Sequence, residues 1–460
     1  MSVLGVSWQG VVRFVTNALV GRIGGPAFLG AVGSAISTAQ VFALAWPTSA
    51  GAAASKFVAR ARGRSSPTEI AEVAAHLARR TLAATMLLSV AAAGFWVVLD
   101  HGDPVEAGSI MALTAGYSGY SFTRGLQYGA GQVARATSWD LITGLVGLVG
   151  VLLTLVSGVR GVQVLLPLAG AYLVFTAANW PWGVTGRPER RLRRELDVFM
   201  LLGVAGTLAS AGFLQSSMLV ARATSGVTNA GQYAAALTLA TPASMLAGSL
   251  SLVLFPSMAE AWGRGDRRGF MAQTDGATRA LAFAMVTIFG TLLVCGDLIV
   301  SVLWGPRFTE AANLLPILLL AVLANTLSVA CVNSITTRSQ RGMVISTMSS
   351  VTGMAVGVLV WVALAPRFGT TGVAVGYLCG TTIIGGIPIA IVWSRDGHHW
   401  GRVATKVMLG IAIMLGLLTA ERALDYNVWF DLGFALGFLA LWLSLMRSEA
   451  ASVYQVIKRR

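Results

Sequence analysis

Long apolar runs separated by short polar breaks recur along the whole chain. A helix needs roughly 20 apolar residues to cross a bilayer. Fourteen runs approach or reach that length, at about 3–22, 31–54, 82–99, 107–123, 140–158, 161–182, 198–220, 231–258, 280–303, 311–334, 343–365, 371–393, 404–420 and 427–446. Membrane-spanning strands would be much shorter and would alternate in polarity. The pattern therefore predicts an all-α integral membrane protein with 14 transmembrane helices. The first run has no basic segment before it and is followed by thirteen more, so it reads as a span and not as a cleaved signal.

Charge then sets the orientation, because short cytoplasmic loops collect Lys and Arg. With the N-terminus inside, 26 of the 33 basic residues fall on inner loops or the tail. Six lie at outer ends: Arg22, Arg160, Arg222, Arg307, Arg367 and Arg422. Arg13 alone falls within a span. The asymmetry recurs at every alternate loop, which predicts an even span count and two cytoplasmic termini. Trp96, Trp139, Trp182, Trp304, Trp393 and Trp429 lie near span ends, where an interfacial belt would put them.

Composition agrees. Hydrophobic residues make up 55% of the chain, charged residues only 11%, and the mean hydropathy is +0.72, whereas soluble domains carry about 25% charged residues. A soluble fold is excluded. The basic excess follows the inner loops, so no nucleic acid is expected as a partner. Cys295, Cys331 and Cys379 lie in apolar stretches without paired spacing, and the four His residues show no metal-ligand pattern. The longest outer loop has only about ten residues, 221–230. No GxxxxGK[ST] phosphate loop occurs, and Ser, His and Asp form no nucleophile motif. A transporter or channel is expected, and not an enzyme.

Two further helices are predicted outside the spans. Ser66 and Glu69 have capping-box spacing around Pro67, and Ile70, Val73, Ala74 and Leu77 share one face. This segment is expected to lie along the inner leaflet as a separate cytoplasmic helix. In the tail, Val453 and Ile457 share a face ahead of Lys458-Arg459-Arg460.

The chain also repeats itself. Phe14-Val-Thr-Asn-Ala-Leu-Val-Gly-Arg22 matches Leu214-Gln-Ser-Ser-Met-Leu-Val-Ala-Arg222 at an offset of 200, Gly30 matches Gly231 at 201, and the segment from Ser55 to Gly63 matches that from Ser257 to Gly265 at 202. An offset of six helices implies two six-helix lobes of the same orientation, around a central cavity. The expected organisation is an N-lobe over 1–182, a basic cytoplasmic linker over 183–197, a C-lobe over 198–396, and two extra helices with a cytoplasmic tail over 397–460. The thirteenth and fourteenth helices are expected beside the lobes, where they could shelter a lipid tail.

Several motifs now stand in order: Arg22-Ile-Gly-Gly-Pro-Ala-Phe-Leu-Gly30, Gly231-Gln-Tyr-Ala-Ala-Ala236, Leu254-Phe-Pro-Ser-Met258, Gly305-Pro-Arg-Phe-Thr-Glu-Ala-Ala312 and Pro366-Arg-Phe-Gly-Thr-Thr-Gly-Val-Ala374. With them the chain resembles the multidrug/oligosaccharidyl-lipid/polysaccharide exporter superfamily, in its polysaccharide-flippase branch. The resemblance implies a flippase that turns a polyprenyl-pyrophosphate-linked oligosaccharide from the inner to the outer leaflet by alternating access. It implies a place in cell-surface polysaccharide assembly in a bacterial plasma membrane. Expected partners are the lipid-linked oligosaccharide, membrane lipids and polysaccharide-assembly proteins, with the chain acting as a monomer. No cofactor is implied beyond a coupling ion, Na+ or H+. The alternatives are a peptidoglycan-precursor (lipid II) flippase, a drug or cation antiporter of the same superfamily and, in another class, a membrane enzyme of glycan assembly. Lipid II flippases are expected to carry several cavity arginines on helices one, two and eight; here helices two and eight have none within the membrane.

Arg13 is the sharpest candidate. A charge at mid-span costs about 2.5–3.5 kcal/mol on insertion scales and usually faces an interior cavity. Gln9, Arg13, Thr16 and Asn17 form one polar stripe at helical spacing. Two readings stand: a buried guanidinium satisfied by neighbours, or a cation that meets the pyrophosphate. Gln40 and Trp46 on helix two, Tyr117 and Tyr120 on helix four, Asn179 on helix six, Gln215 on helix seven, and Asn325 and Asn333 on helix ten are candidates to line the same cavity or to bind helices together. Arg22 and Arg222, at equivalent outer ends, are candidate gate residues. Asp140, read as opening helix five, is a candidate for the coupling ion, although the helix dipole alone would favour an acid there.

Overall fold

The computed structural model describes residues 2–100, 103–424 and 430–447. Trp429 and the expected tail helix with Val453, Ile457, Lys458, Arg459 and Arg460 lie outside the described residues. The helices are α1 (Ser2–Leu44), α2 (Pro47–Gly63), α3 (Pro67–Asp100), α4 (Pro104–Gly129), α5 (Val133–Val156), α6 (Leu166–Asn179), α7 (Arg190–Thr207), α8 (Phe213–Gly263), α9 (Arg267–Val294), α10 (Gly296–Leu303), α11 (Thr309–Leu327), α12 (Val329–Arg338), α13 (Gln340–Asp396), α14 (Gly401–Leu424) and α15 (Asp431–Leu445). At 1.5 Å per residue, the 43, 51 and 57 residues of α1, α8 and α13 are too long for one crossing of a core about 30 Å thick. Each leaves helical geometry at one glycine, Gly25, Gly226 and Gly369 respectively. With those breaks as boundaries, and with α2 continuing the second half of α1, α7 continuing into the first half of α8, α10 continuing α9 and α12 continuing α11, the described helices amount to the fourteen passes that the apolar runs predict. Exposed Leu87, Val98, Val146, Leu359 and Leu436 suit a hydrocarbon surround, not water. The protein is a multi-pass membrane protein.

The internal repeat is visible in the backbone. Gly25 has φ 77° and ψ −172°, and Gly226, one repeat later, has φ 78° and ψ 174°. This region suits glycine alone. The residues that follow, Pro26 and Val227, each present a carbonyl to the equivalent glycine of the other repeat. A Cβ on Gly231 would lie 1.8 Å from the Pro26 oxygen, and one on Gly30 would lie 1.9 Å from the Val227 oxygen. The two backbones therefore touch at a reciprocal pair of glycines.

The chain divides into two compact units, residues 1–234 and 235–460. In the first, the basic end is held by a core of Ala50, Ala54, Phe57 and Val58 from α2, Val73, Ala74 and Leu77 from α3, Phe122 and Leu126 from α4, and Leu196 and Met200 from α7. This corrects the expectation for 67–80. The Ser66 side chain does accept from the Glu69 amide at 3.4 Å, but the helix runs on unbroken to Asp100. Its apolar face meets α2 and α7, not the leaflet. Close approach of α2 to α4 rests on Gly51 and Gly125, where any Cβ would strike backbone of the other helix. Across the surface of this end Arg60 donates to Glu195 at 2.7 Å, and that bond holds the Glu195 carboxyl below its usual range.

In the second unit, α14 and α15 pack against α9. Gly410 lies under the Trp442 ring and Gly290 under Phe438. The Trp442 indole donates to Thr287 at 3.0 Å, and Asp431 accepts from the Leu298 amide at 2.9 Å. The polar break around His398 is structural. Trp400 donates to Asp275 at 2.6 Å, and His398 stacks on Trp400 at 4.5 Å. Arg338 and Asp396 form a buried ion pair beside it, with the guanidinium 4.8 Å from the Phe270 ring centroid.

Candidate functional site

The first unit contains a small pocket, part of it continuous with the outside. Val12, Arg13 and Thr16 line it from α1 before the Gly25 break, and Ile36, Ala39 and Gln40 from α1 after it. Leu113 and Tyr117 on α4 and Leu168 and Tyr172 on α6 complete the wall. The helical period explains why Arg13 and Thr16 share this face. Among the described residues of the lining, Arg13 is the only charged side chain. One of its amino groups donates to Gln40 Oε1 at 3.0 Å. A guanidinium has five N–H donors, so most of its donor capacity is left beside the cavity.

The wall formed by α4 and α6 is aromatic. The Tyr117 and Tyr172 rings meet edge to face at 5.7 Å and 74°. Behind them Tyr120, only 5% exposed, packs on Tyr172 at 5.0 Å and on Phe175 at 4.8 Å. Of the two expected tyrosines, Tyr117 therefore lines the cavity and Tyr120 supports it. Tyr172 was missed by sequence reasoning; its signal is the lone tyrosine of a largely apolar span. Its hydroxyl donates to Gln9 Oε1 at 3.4 Å. Gln9 thus acts one turn below Arg13, through Tyr172, and is not itself a lining residue.

Asp140 lies deeper. Helix five starts at Val133, so Asp140 sits two turns inside α5 and not at its opening. The dipole argument made for it therefore fails, and Arg124 accounts for it instead. α4 continues to Gly129 and so carries Arg124, expected on a loop, within a helix. Arg124 Nε meets Asp140 Oδ2 at 3.1 Å, and the same guanidinium donates to the Tyr128 hydroxyl at 2.9 Å. Asp140 is fully buried. Breaking such a pair would strand a charge, which is costly.

The remaining candidates are dispersed. Gln215 accepts from Ser37 at 3.0 Å and fastens α8 to α1. Asn17 is buried on the Arg13 stripe but outside the lining. Asn179 donates to the Phe175 carbonyl, and Trp46 packs on the basic-end core. Asn325 and Asn333 belong to the second unit, where Asn333 exchanges hydrogen bonds with Ser251 at 2.8 and 3.0 Å. Arg22 and Arg222 occupy equivalent places in the repeat but unlike surroundings. Arg22 is exposed. Arg222 is 6% exposed, with its guanidinium 4.5 Å from the Trp96 ring centroid, and Trp96 in turn donates to Glu106 at 3.2 Å.

No family model matches the chain, and no curated protein does. Solved structures do. An inward-facing multidrug resistance MATE family transporter of the MOP superfamily matches with a TM-score of 0.67 and 14% identity over 86% of this chain and 95% of that one. The lipid II flippase MurJ, in an inward closed conformation, matches with a TM-score of 0.69 and 12% identity over 99% of both chains. A MOP superfamily transporter from Pyrococcus furiosus, described as having a binding pocket of reversed polarity, matches at 0.61 and 15% identity over 86% of this chain and 93% of that one. The chain therefore has the fold of these membrane transporters.

Proposed function

We propose that the protein is a flippase that carries a polyprenyl-pyrophosphate-linked oligosaccharide from the inner to the outer leaflet by alternating access. The observation that carries this reading is Arg13: the one charge among the described lining residues, tethered through Gln40 and otherwise left with free donor capacity. A pyrophosphate offers what a guanidinium fork binds best. Among the described lining residues there is no acid of the kind a cationic drug would need. The apolar faces of α14 and α15, with Met408, Leu436 and Leu441 exposed, would receive the polyprenyl tail. Asp140, considered for a coupling ion, is already matched by Arg124, so a cation there would first have to displace a guanidinium.

A second reading, a peptidoglycan-precursor flippase, is supported by the full-length likeness to a protein named as a lipid II flippase. Its substrate carries the same pyrophosphate, so Arg13 would serve either. The test is complementation of a strain lacking this transporter, with folded protein measured in parallel. Arg13→Ala should abolish complementation at normal levels of monodisperse protein, and Arg13→Lys should retain part of it. Full complementation by a well-folded Arg13→Ala would remove the reading.

A further inference from the structure

We propose that Tyr117 and Tyr172 form a subsite for one sugar, the residue joined directly to the carrier pyrophosphate; this rests on the function proposed above. The cavity has two chemically distinct sides. One presents Arg13 and Gln40, and the other presents the two tyrosines, which meet at 74° and so form a corner. Arg13 directs a donor to Gln40, and both tyrosines remain in the pocket wall. The corner is braced from behind: Tyr120 packs on Tyr172 and is itself backed by Phe175, and the Tyr172 hydroxyl donates to Gln9. A pyranose has apolar C–H faces and a polar rim. Its faces suit the tyrosine rings, whose π faces are negative, and its rim suits the Gln40 amide and the Thr16 and Tyr117 hydroxyls.

Arg13 and the tyrosine corner line the same pocket. A pyrophosphate on Arg13 would therefore bring the sugar bonded to it against the two rings, so the subsite reads the first sugar and leaves the others unread.

The experiment compares two probes on the purified full-length protein in lipid nanodiscs: undecaprenyl pyrophosphate, and the same carrier bearing one N-acetylglucosamine. The wild type should bind the sugar-bearing probe about tenfold more tightly, the order that an aromatic contact adds beyond buried area. Tyr117→Leu and Tyr172→Leu should each bring the affinities for the two probes within about twofold of one another. Tyr172→Phe, which keeps the ring and loses only the Gln9 bond, should retain most of the preference. Equal binding of both probes by the wild type would overturn the subsite, as would a preference that survives in both leucine variants. If the leucine variants do not fold, the wild-type comparison and Tyr172→Phe still decide. Failure of the flippase reading looks different: Arg13→Ala would then bind both probes as the wild type does.

Discussion

Substituting alanine at Gly231 should weaken the fold through a single backbone contact. The new Cβ would stand 1.8 Å from the Pro26 oxygen and 2.5 Å from its carbonyl carbon. Ordinary van der Waals contact begins near 3.4 Å, so the two segments must separate by roughly 1.5 Å. The obstacle is main chain and cannot rotate away as a side chain would. Overpacking a close-packed contact costs about 1–3 kcal/mol, and Gly30→Ala should cost a similar amount against the Val227 oxygen. Since both act on one crossing, the double variant should cost much less than the sum, because the first Cβ has already parted the backbones. Gly94, where a Cβ would meet nothing within 4 Å, is the control; alanine there should be neutral or stabilising by up to about 1 kcal/mol. The assay is the thermal midpoint of the detergent-solubilised protein at a fixed scan rate, read by fluorescence size exclusion. Equal midpoints for Gly231→Ala and Gly94→Ala, or strict additivity in the double variant, would refute the reasoning.

The buried Arg338–Asp396 pair, 9% and 6% exposed, should lose about 3–5 kcal/mol in Asp396→Asn, whereas Arg338→Met combined with Asp396→Leu should recover most of that loss; urea or thermal stability of the three proteins checks it. For topology, reporter fusions after Arg64 and Arg194 should report the cytoplasm and one at residue 225 the outside, with a consistent inversion past any helix showing that a span was misplaced.

Much of this architecture was legible in the chain. Apolar run length fixed the passes, and the offset of about 200 residues paired Gly30 with Gly231, whereas the like breaks at Gly25 and Gly226 emerged only from the backbone. Polar stripe spacing singled out Arg13. What escaped was whatever depends on partners distant in sequence. Residues 133–139 are polar enough to resemble a loop, yet α5 continues through them beyond the apolar stretch, which misplaced Asp140 relative to its helix start. The amphipathic face at Ile70–Leu77 was correctly seen as apolar, but periodicity does not say whether lipid or protein covers it, and Phe57 and Leu196 do. Tyr117 and Tyr120 are three apart and share a helix face, yet only contact with α6 decides which ring reaches the cavity. Equivalence of Arg22 and Arg222 in the repeat did not extend to their neighbours, because Trp96 packs on only the second.

The most direct test of the role given to Arg13 is transport itself. Proteoliposomes carrying a short-chain polyprenyl-pyrophosphoryl N-acetylglucosamine in both leaflets would be challenged with an external galactosyltransferase, which modifies only outward-facing sugar. With wild-type protein the modified fraction should pass one half toward completion as inner-leaflet substrate is turned over. With monodisperse Arg13→Ala it should stop near one half, and with Arg13→Lys it should rise at least about tenfold more slowly than wild type, since a point charge replaces a bidentate fork. Wild-type rates from Arg13→Ala, or a fraction that stays near one half with the wild type, would contradict the account.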